Sequence, residues 1–353
     1  EQLRVQPSSY RARVGTAAGA AATSAANNNT PTSGSAATST TWPSIAMVSF
    51  LNATDGIASG CMSPDASTIV AGFEDSRVRV WTARPNEQFG RVSQVLVGHS
   101  GPVTGTSITA EANVLVTTSS DGTARVWALA SGASASASTA TSSSSEQPHW
   151  SCVSVCNAAK ERGVSALWGV DVAAFGSYFA TCGRDARARL WVTERPETPV
   201  RLFHGHLSDV DCVEIHPNVT YVATGSADKT ARLWDVRTGK VARVFVGHLG
   251  GVSASRVDPS GRFLATGGRD NQVCVWDLGS GKRIASLRGH DSTVASVAWS
   301  PSGEHLASGG ADCAVVLWST GVAYQSASGE FAADAHVFGS SVAAAGAATG
   351  AGK

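Results

Sequence analysis

Short runs of β-type residues alternate with turn-forming residues along most of the chain. The run Tyr221–Thr224 is followed by a polar, Gly-containing connection, Gly225–Lys229, and then by a second β-type run, Ala231–Trp234. Turn residues recur shortly after the tryptophan, as Arg-Thr-Gly-Lys at 237–240 and Gly-Ser-Gly-Lys at 279–282. This pattern predicts about four short antiparallel strands in each unit of sequence.

Four kinds of residue recur in a fixed register. Six tryptophans are separated by 46, 64, 43, 42 and 42 positions: Trp81, Trp127, Trp191, Trp234, Trp276 and Trp318. An aspartate lies six positions before each one: Asp75, Asp121, Asp185, Asp228, Asp270 and Asp312. A Gly-His pair precedes four of the tryptophans, with its histidine always 28 positions earlier: His99, His206, His248 and His290. Thr or Ser lies four positions before the aspartate in five repeats: Thr117, Thr181, Thr224, Thr266 and Ser308.

A period near 42 residues with these marks is the signature of WD repeats, in which each repeat supplies one four-stranded propeller blade. We therefore predict an all-β fold, a WD-repeat β-propeller with six clear repeats and a degenerate seventh blade as an open alternative. Two closures of the ring are compatible with the sequence. The strand-like segment Ile45–Leu51 completes a sixth and last blade, or it combines with the C-terminal segment around Ala335–Phe338 into a weak seventh blade.

A buried aspartate is costly unless it is paired or hydrogen-bonded, so its recurrence at one register position needs partners. Resemblance to WD-repeat propellers implies that the histidine bridges the Thr or Ser hydroxyl and the aspartate, and that the tryptophan joins this network. The complete sets are His99-Thr117-Asp121-Trp127, His206-Thr224-Asp228-Trp234, His248-Thr266-Asp270-Trp276 and His290-Ser308-Asp312-Trp318. The partial sets are Asp75-Trp81 in the first repeat and Thr181-Asp185-Trp191 in the third.

The two partial repeats depart from the register at defined positions. The first has Ala53 and Ala71 where His and Ser or Thr are expected, and the third has Gly163 in place of His. We expect these two blades to rely more on apolar packing.

Low-complexity stretches mark the domain organisation. We assign residues 1–41 to a flexible segment, 42–320 to the propeller with a Ser/Ala-rich loop insertion at 130–149, and 321–353 to an Ala/Gly/Ser-rich tail that is a candidate part of the weak seventh blade.

Composition excludes several classes of function. Lys and Arg together number 27, as do Asp and Glu, so no basic excess indicates nucleic-acid binding. No apolar run of 18 residues predicts a transmembrane helix, and the seven widely spaced cysteines do not fit a secreted disulfide scaffold. Cys152 and Cys156 form one C-x3-C pair without the second pair that a four-ligand zinc site needs. We expect no metal, cofactor or small-molecule substrate.

A His-Asp network also invites a catalytic interpretation. The same set recurs in four repeats, however, and an enzyme seldom needs four equal active sites. Gly239-Lys240 and Gly281-Lys282 are not phosphate-binding loops, because Trp234 and Trp276 stand where the first glycine of that motif belongs. We therefore predict a protein without enzymatic activity.

Particular segments resemble one WD-repeat family, the WD-repeat TBP-associated factors (subunit 5) of the general transcription factor TFIID. The similar segments are Phe50–Ala53, Ala71–Trp81, Gly98–Val103, Ser119–Thr123, Tyr178–Phe179, Asp185–Trp191, Gly205–Val210, His216–Asn218, Tyr221–Asp228 and Gly261–Gly267. The resemblance implies a nuclear scaffold for assembly of the RNA polymerase II preinitiation complex, with histone-fold TBP-associated factors as protein partners in TFIID or in a SAGA-type coactivator. It also implies a seven-bladed propeller.

A second function stays open, that of a substrate receptor of a cullin-type ubiquitin ligase. Trp234-Asp235-Val236-Arg237 matches the W-D-x-R motif by which some propellers dock onto a ligase adaptor. Another WD-repeat scaffold is the remaining alternative. For partner contact we single out Arg184, Ser208, Asp209 and Arg269, because loop positions that vary between repeats are where specificity resides.

Overall fold

The computed structural model describes residues 56–82, 93–130, 149–158 and 166–319, together with the backbone of 335–339. Over these ranges the chain forms 24 β-strands arranged as six four-stranded antiparallel sheets, the blades of a six-blade β-propeller. The described residues contain no α-helix, and thus none that is long and apolar enough to cross a membrane.

The strands follow one another outward within each blade, from an inner strand to an outer strand. Blade 1 contains β1 Ile57–Met62, β2 Thr68–Phe73, β3 Arg77–Thr82 and β4 Gln94–Val97. Blade 2 contains β5 Val103–Ile108, β6 Val114–Ser119, β7 Thr123–Ala130 and β8 His149–Asn157. Blade 3 contains β9 Leu167–Val172, β10 Tyr178–Gly183, β11 Arg187–Val192 and β12 Arg201–His204. Blade 4 contains β13 Val210–Ile215, β14 Tyr221–Ser226, β15 Thr230–Asp235 and β16 Val241–Val246. Blade 5 contains β17 Val252–Val257, β18 Phe263–Gly268, β19 Gln272–Asp277 and β20 Arg283–Arg288. Blade 6 contains β21 Val294–Trp299, β22 His305–Gly310, β23 Ala314–Ser319 and β24 Ala335–Gly339.

In blades 1 to 5 the middle two strands are largely buried on both faces because neighbouring blades cover them. Strands β2 and β18 are buried along their whole length, which explains their continuous run of small and apolar residues. Aromatic residues fill the wider space between the blades near the rim. Phe203 of blade 3 packs on Trp234 of blade 4 at 5.6 Å between ring centroids, and Phe245 packs on Trp276 at 5.5 Å.

Neighbouring blades interlock through a valine and a glycine. Val252 is the first residue of an inner strand and is fully buried against Gly225 on the second strand of the preceding blade. A side chain at Gly225 would lie only 2.5 Å from a Val252 methyl group, so glycine is required for this close approach. The pair Gly72 and Val103 repeats the same contact between blades 1 and 2.

The inner strands are also joined by hydrogen bonds from one blade to the next. From blade 2 to blade 5, the side chain of the fifth residue of an inner strand accepts a hydrogen bond from the backbone N–H of the sixth residue of the following inner strand. Val172 donates to Ser107 Oγ at 3.1 Å, Ile215 donates to Asp171 Oδ2 at 2.9 Å, and Val257 donates to Glu214 Oε2.

The sixth blade is completed from the C-terminal side. Strand β24 pairs with β23, with Gly339 opposite Ala314 and Ala335 opposite Trp318. This excludes the closure in which Ile45–Leu51 completes the sixth blade, and it places Ala335–Gly339 in the sixth blade and not in a seventh. Residues 42–55, including Ala53, lie outside the described residues, as does Gly163.

The Ser/Ala-rich insertion lies between the two outer strands of blade 2. Ala130 pairs with His149, so both ends of the predicted insertion belong to strands β7 and β8. Residues 131–148 lie outside the described part of the chain.

Candidate functional site

The polar register residues of blade 4 meet in one hydrogen-bonded chain. His206 lies in the link from β12 to β13, Thr224 lies on β14, Asp228 lies in the β14–β15 turn and Trp234 lies on β15. Trp234 Nε1 donates to Thr224 Oγ1 at 2.8 Å, His206 Nε2 lies 2.8 Å from the same hydroxyl, and His206 Nδ1 lies 2.8 Å from Asp228 Oδ2.

The structure brings together the other three complete sets in the same way. The His Nε2 atoms of His99, His248 and His290 all lie 2.8 Å from the hydroxyl of Thr117, Thr266 and Ser308. Their Nδ1 atoms lie 3.2, 3.0 and 2.9 Å from an Oδ2 atom of Asp121, Asp270 and Asp312. Trp127, Trp276 and Trp318 donate to these hydroxyls at 3.0, 2.8 and 2.9 Å. We call each of the four sets a tetrad.

One protonation pattern satisfies every atom of a tetrad. The indole N–H donates to the hydroxyl, the hydroxyl donates to His Nε2, and a neutral histidine donates its Nδ1–H to the carboxylate. Burial lowers the pKa of His206 and outweighs the raising effect of Asp228, so the neutral form of this histidine is favoured. Burial alone would raise the pKa of Asp228, but hydrogen bonds from Thr230, His206 and the backbone of Leu207 reverse this and lower it to about 2.

Each tetrad aspartate also holds two backbone segments. Asp228 Oδ2 accepts the N–H of Leu207 at 3.1 Å and Oδ1 accepts the N–H of Thr230 at 2.9 Å, so the carboxylate ties the Gly-His link to the β14–β15 turn. The residue after the aspartate, Lys229, has a positive φ of 70°, which this tight turn requires. The tetrad thus fixes the loops at one end of the blade.

Blades 1 and 3 replace the histidine with an arginine. In blade 3, the guanidinium of Arg189 contacts the Asp185 carboxylate through two nitrogens, at 2.5 and 3.3 Å, and Trp191 Nε1 donates to Thr181 at 2.9 Å. In blade 1, Arg79 Nη2 lies 3.4 Å from Asp75 Oδ2.

Both arginines are buried, with 7% of Arg79 and 4% of Arg189 exposed, and Arg79 lies 4.2 Å above the centroid of the Phe73 ring. The structure thus shows an ion pair with a buried arginine in these two blades, and the added apolar packing expected for them stays a prediction.

The same register position is used differently where the histidine is present. Arg125 and Arg232 occupy it in blades 2 and 4, and there the guanidinium turns away from the aspartate to cover the glycine of the Gly-His pair. A side chain at Gly98 would lie 2.6 Å from Arg125 Nη1, and one at Gly205 would lie 2.8 Å from Arg232 Nη1. The presence of the arginine in the sequence does not indicate whether it contacts the aspartate or the glycine. In these four blades, the arginine contacts the aspartate where the histidine is missing.

The loops fixed by the tetrads form one end of the propeller, which we call the Gly-His face. It contains the links between blades and the turns between second and third strands, because antiparallel strands return these connections to the same end. All four residues singled out for partner contact lie on it. Arg184 and Arg269 are exposed and directly precede Asp185 and Asp270, whereas Ser208 and Asp209 are partly buried and their carbonyls accept the Ser226 hydroxyl at 3.2 and 2.8 Å.

Two leucines project from the Gly-His face. Leu207 and Leu249 follow the histidines of blades 4 and 5 and are 88% and 76% exposed. Their backbone N–H groups donate to Asp228 and Asp270, so the tetrads hold the backbone while the side chains face solvent. Between these blades Arg269 forms an ion pair with Asp211 at 2.8 Å. Neither the leucines nor this ion pair were identified from the sequence.

A charged cluster of three inner-strand residues also escaped sequence reasoning. Arg256 Nη1 lies 3.6 Å from Asp171 Oδ1 and 3.7 Å from Glu214 Oε1. Burial raises the pKa of Glu214 well above its usual value, although the nearby Arg256 opposes the rise. The signal in the sequence was a charged residue at the same fifth position of three successive inner strands, β9, β13 and β17.

The geometry of the tetrads favours a structural role over catalysis. All four tetrad histidine side chains are only 1% exposed, so their ring nitrogens face protein groups and not solvent. Over the described ranges, no group of three or more His, Cys, Asp or Glu side chains is arranged to hold a metal ion. Cys152 is exposed and Cys156 is buried.

The W-D-x-R segment ends in the β15–β16 turn. Asp235 Oδ1 accepts the N–H of Arg237 at 2.8 Å, and the Arg237 side chain is exposed.

Comparison with known proteins places these observations in a family. The model of the family described as "WD domain, G-beta repeat" (WD40) matches six segments of the chain: residues 47–82, 90–128, 150–192, 197–235, 239–277 and 281–319. Together these segments cover more than half of the chain and coincide with the six repeats of the register.

Individual relatives are more distant. The chain is 27% identical over 229 residues to transcription initiation factor TFIID subunit 5 of Caenorhabditis elegans, covering 57% of this chain and 32% of that protein. It is 29% identical over 181 residues to the guanine nucleotide-binding protein subunit beta of Solanum tuberosum and to that of Arabidopsis thaliana, in each case covering 50% of this chain and 44% of the relative. The chain therefore spans less than half the length of these relatives.

Proposed function

The chain belongs to the WD40 repeat family, and on that basis we propose that it is a non-enzymatic scaffold of the TFIID subunit 5 type, which acts in the nucleus to assemble the RNA polymerase II preinitiation complex. Its partners are other protein subunits, including histone-fold TBP-associated factors of TFIID or of a SAGA-type coactivator. It binds neither a cofactor nor a small-molecule substrate, and it makes no sequence-specific contact with nucleic acid.

The observation that supports this proposal most is the extent of the similarity to the TFIID subunit. That match covers 57% of the chain, against 50% for the guanine nucleotide-binding relatives, at similar identity. The segments that resemble the TFIID subunit 5 family include some that WD repeats in general do not share, such as His216–Asn218.

The Gly-His face supports a scaffold role on physical grounds. Its exposed residues, Leu207, Leu249 and Arg269, stand on loops whose backbone N–H groups are hydrogen-bonded, to Asp228, Asp270 and the Gly251 carbonyl. A surface that is already ordered loses little conformational entropy when a partner binds, so its contacts contribute more fully to affinity. Large apolar side chains beside charged ones are typical of such contact surfaces.

The experiment is affinity purification of the tagged endogenous protein from nuclear extract, with mass spectrometry of the co-eluting proteins. The proposal predicts TBP and histone-fold TBP-associated factors near stoichiometry. Co-elution of a cullin adaptor without them would contradict it and would favour the ubiquitin-ligase alternative, for which exposed Arg237 would be the residue to mutate. Recovery of a G-protein gamma-type partner alone would also contradict it.

A charge-reversal pair tests the proposed contact residues within the same experiment. We expect Asp209→Lys combined with Arg269→Glu to reduce co-purification, because both alter charge on the Gly-His face. Lys282→Glu is the matched control, since Lys282 is exposed in a turn at the opposite end of blade 5. Unchanged partner recovery with the double variant would remove Asp209 and Arg269 from the contact surface.

A further inference from the structure

Basic side chains surround the β15–β16 turn of blade 4, at the end of the propeller opposite the Gly-His face. Lys240 ends this turn, with Arg237 three positions before it and Arg243 three positions after it. Arg201, the first residue of β12 in blade 3, reaches the same turn from the neighbouring blade. Its Nε donates to the carbonyl of Val236 at 3.0 Å and its Nη2 to that of Arg237 at 3.2 Å. All four basic side chains are exposed, and we call them the turn cluster.

The carboxylate nearest to the turn does not neutralise the cluster. Asp235 Oδ1 accepts the N–H of Arg237 at 2.8 Å and its Oδ2 accepts the hydroxyl of Thr238 at 3.0 Å, so both oxygens serve the turn itself. Over the ranges that the structure describes, no member of the cluster forms an ion pair, whereas Arg256 and Arg269 each do. Because basic and acidic residues each number 27 in the whole chain, this positive charge is a local concentration.

Backbone hydrogen bonds hold the cluster in a fixed arrangement. Besides the two bonds from Arg201, Arg243 Nη2 donates to the carbonyl of Gly279 in blade 5 at 3.3 Å. Within the turn, the N–H of Gly239 donates to the Asp235 carbonyl at 2.7 Å, and Gly239 has a positive φ of 70°. Side chains and turns that are already ordered lose less conformational entropy when a ligand binds.

Exposed valines lie among the cations of the cluster. Val200 directly precedes Arg201 and is 46% exposed, while Val241 and Val244 flank Arg243 on β16 and are 36% and 46% exposed. Exposed ion pairs contribute little by themselves, whereas apolar surface that leaves water adds to affinity. A protein segment in which acidic and apolar residues are interleaved offers both kinds of contact, and a nucleic-acid backbone offers phosphates alone. The valines therefore favour a protein ligand.

The equivalent turn of blade 5 lacks this concentration of charge. Gly279 and Ala285 stand three positions before and three positions after Lys282, so Lys282 is the single cation of that turn. The neighbouring Arg283 is directed to the Gly247 carbonyl at 3.3 Å, in the link that follows blade 4. Blade 5 thus supplies a matched comparison for the cluster of blade 4.

We propose that the turn cluster binds an acidic segment of a partner protein, in which Asp or Glu residues alternate with apolar residues. The carboxylates pair with Arg237 and Lys240, whose side chains are free, and the apolar residues contact Val200 and Val241. Arg201 contributes charge and holds the turn. This site is separate from the Gly-His face and does not depend on the nuclear role proposed above.

Fluorescence anisotropy with the purified full chain tests the proposal. The probe is a fluorescein-labelled peptide of four Asp-Asp-Leu repeats, compared with peptides of four Asp-Asp-Ser and four Lys-Lys-Leu repeats. We expect the Asp-Asp-Leu peptide to bind, the Asp-Asp-Ser peptide to bind at least about threefold more weakly because it lacks apolar side chains, and the Lys-Lys-Leu peptide not to bind. Affinity should fall as the NaCl concentration is raised, because salt screens exposed charges.

Charge reversals locate the binding site on the chain. Lys240→Glu should weaken binding of the Asp-Asp-Leu peptide about fivefold, and adding Arg237→Glu should weaken it at least about tenfold in total. Lys282→Glu is the matched control at the equivalent position of blade 5 and should change the affinity less than about twofold. Lys240→Arg should retain the affinity, which separates loss of charge from damage to the turn.

Three results would overturn the proposal. One is the absence of saturable binding of the Asp-Asp-Leu peptide. Another is an equal effect of Lys240→Glu and Lys282→Glu, which would mean that net charge and not the cluster attracts the peptide. The third is displacement of the peptide by a DNA duplex of equal charge at a lower concentration than by unlabelled peptide, which would assign the cluster to nucleic acid. Because no nuclear subunit is present in this experiment, its failure is distinguishable from failure of the TFIID-type proposal.

Discussion

Blades 4 and 3 stand side by side in the propeller and hold the same aspartate in two different ways. In blade 4, Asp228 is bound by a neutral histidine that belongs to the link from the preceding blade. In blade 3, Asp185 is bound by Arg189 of its own third strand, four positions further along the chain. The recurring feature of the register is therefore a partner for the carboxylate, whereas the chemical nature of that partner varies between blades.

The two arrangements differ in what they connect. The histidine joins the carboxylate to the Thr224 hydroxyl and to Trp234, so one network spans a link, a turn and two strands. The arginine closes a local pair within a turn and its following strand, and in blade 3 the Trp191–Thr181 hydrogen bond stands apart from it. The side chain of Asp185 is also more exposed than that of Asp228, at 23% against 6%. We therefore expect removal of Asp228 from blade 4 to lower the free energy of unfolding more than removal of Arg189 from blade 3.

The largest expected effect is that of Asp228→Ala. It leaves His206 and two backbone N–H groups without their acceptor in the interior, and breaking a buried charged network usually costs about 3 kcal/mol or more. Denaturant unfolding of the purified chain measures this cost. Asp291→Ala is the control, because Asp291 is exposed in the equivalent link of blade 6. A loss below about 0.5 kcal/mol for Asp228→Ala, the scale of ordinary surface substitutions, would refute a structural role for the tetrad.

A smaller but more selective effect is expected for Arg189→Met. Removing this arginine leaves a mostly buried carboxylate with fewer donors, and a hydrogen bond to a charged group contributes about 1.5–3 kcal/mol. The same change at Arg125 in blade 2 should cost less than about 0.5 kcal/mol, since His99 holds the aspartate there. Equal losses for the two variants would show that the arginine acts by packing in every blade and not as a substitute for histidine.

The pH dependence of stability should separate the histidine from the carboxylate. The folded pKa of His206 lies below its unfolded value, so below about pH 6.5 the unfolded state binds the proton more readily and stability falls. The folded pKa of Asp228 is also lowered, to about 2, so its contribution is complete above about pH 4 and is lost as the pH falls toward 2. Urea midpoints measured from pH 8 to pH 3 should therefore decrease with acidification, and His206→Gln should flatten the decrease between about pH 7.5 and 5.5. A midpoint that rises as the pH falls through 6.5 would contradict a neutral buried histidine.

The blades and tetrads could be predicted from the sequence because their chemistry repeats. Six copies of a Trp at a fixed distance from an Asp determine which residues share a blade, and four copies of Gly-His determine which carboxylates have a histidine partner. The physical reason is that a buried carboxylate and a buried imidazole each restrict the residues that can surround them. Such restrictions are visible in one chain when the same environment occurs several times.

Other features could not be predicted because they depend on contacts between elements that do not repeat. Arg79 and Arg189 share their register position with Arg125 and Arg232, although the first two arginines contact the aspartate and the other two lie against the glycine of the Gly-His pair. Strand β24 was misplaced because 15 residues separate Ser319 from Ala335, whereas five residues separate the third and fourth strands in each of blades 4 and 5. The exposure of Leu207 and Leu249 follows from loop geometry, to which the hydrophobic pattern gives no guide.

A double-mutant cycle in blade 4 tests whether arginine and histidine are alternative partners of one aspartate. With His206 present, Arg232→Met should cost less than about 0.5 kcal/mol. In the His206→Ala chain the arginine is free to turn toward Asp228 as Arg189 turns toward Asp185, so Arg232→Met should then cost about 1 kcal/mol more, within the range of couplings measured between contacting residues. His248→Ala should accordingly be more damaging than His206→Ala, since blade 5 has Cys274 and no arginine at that position. Additive losses within about 0.3 kcal/mol, together with equal costs for the two histidine variants, would show that arginine does not replace histidine as the partner of the aspartate.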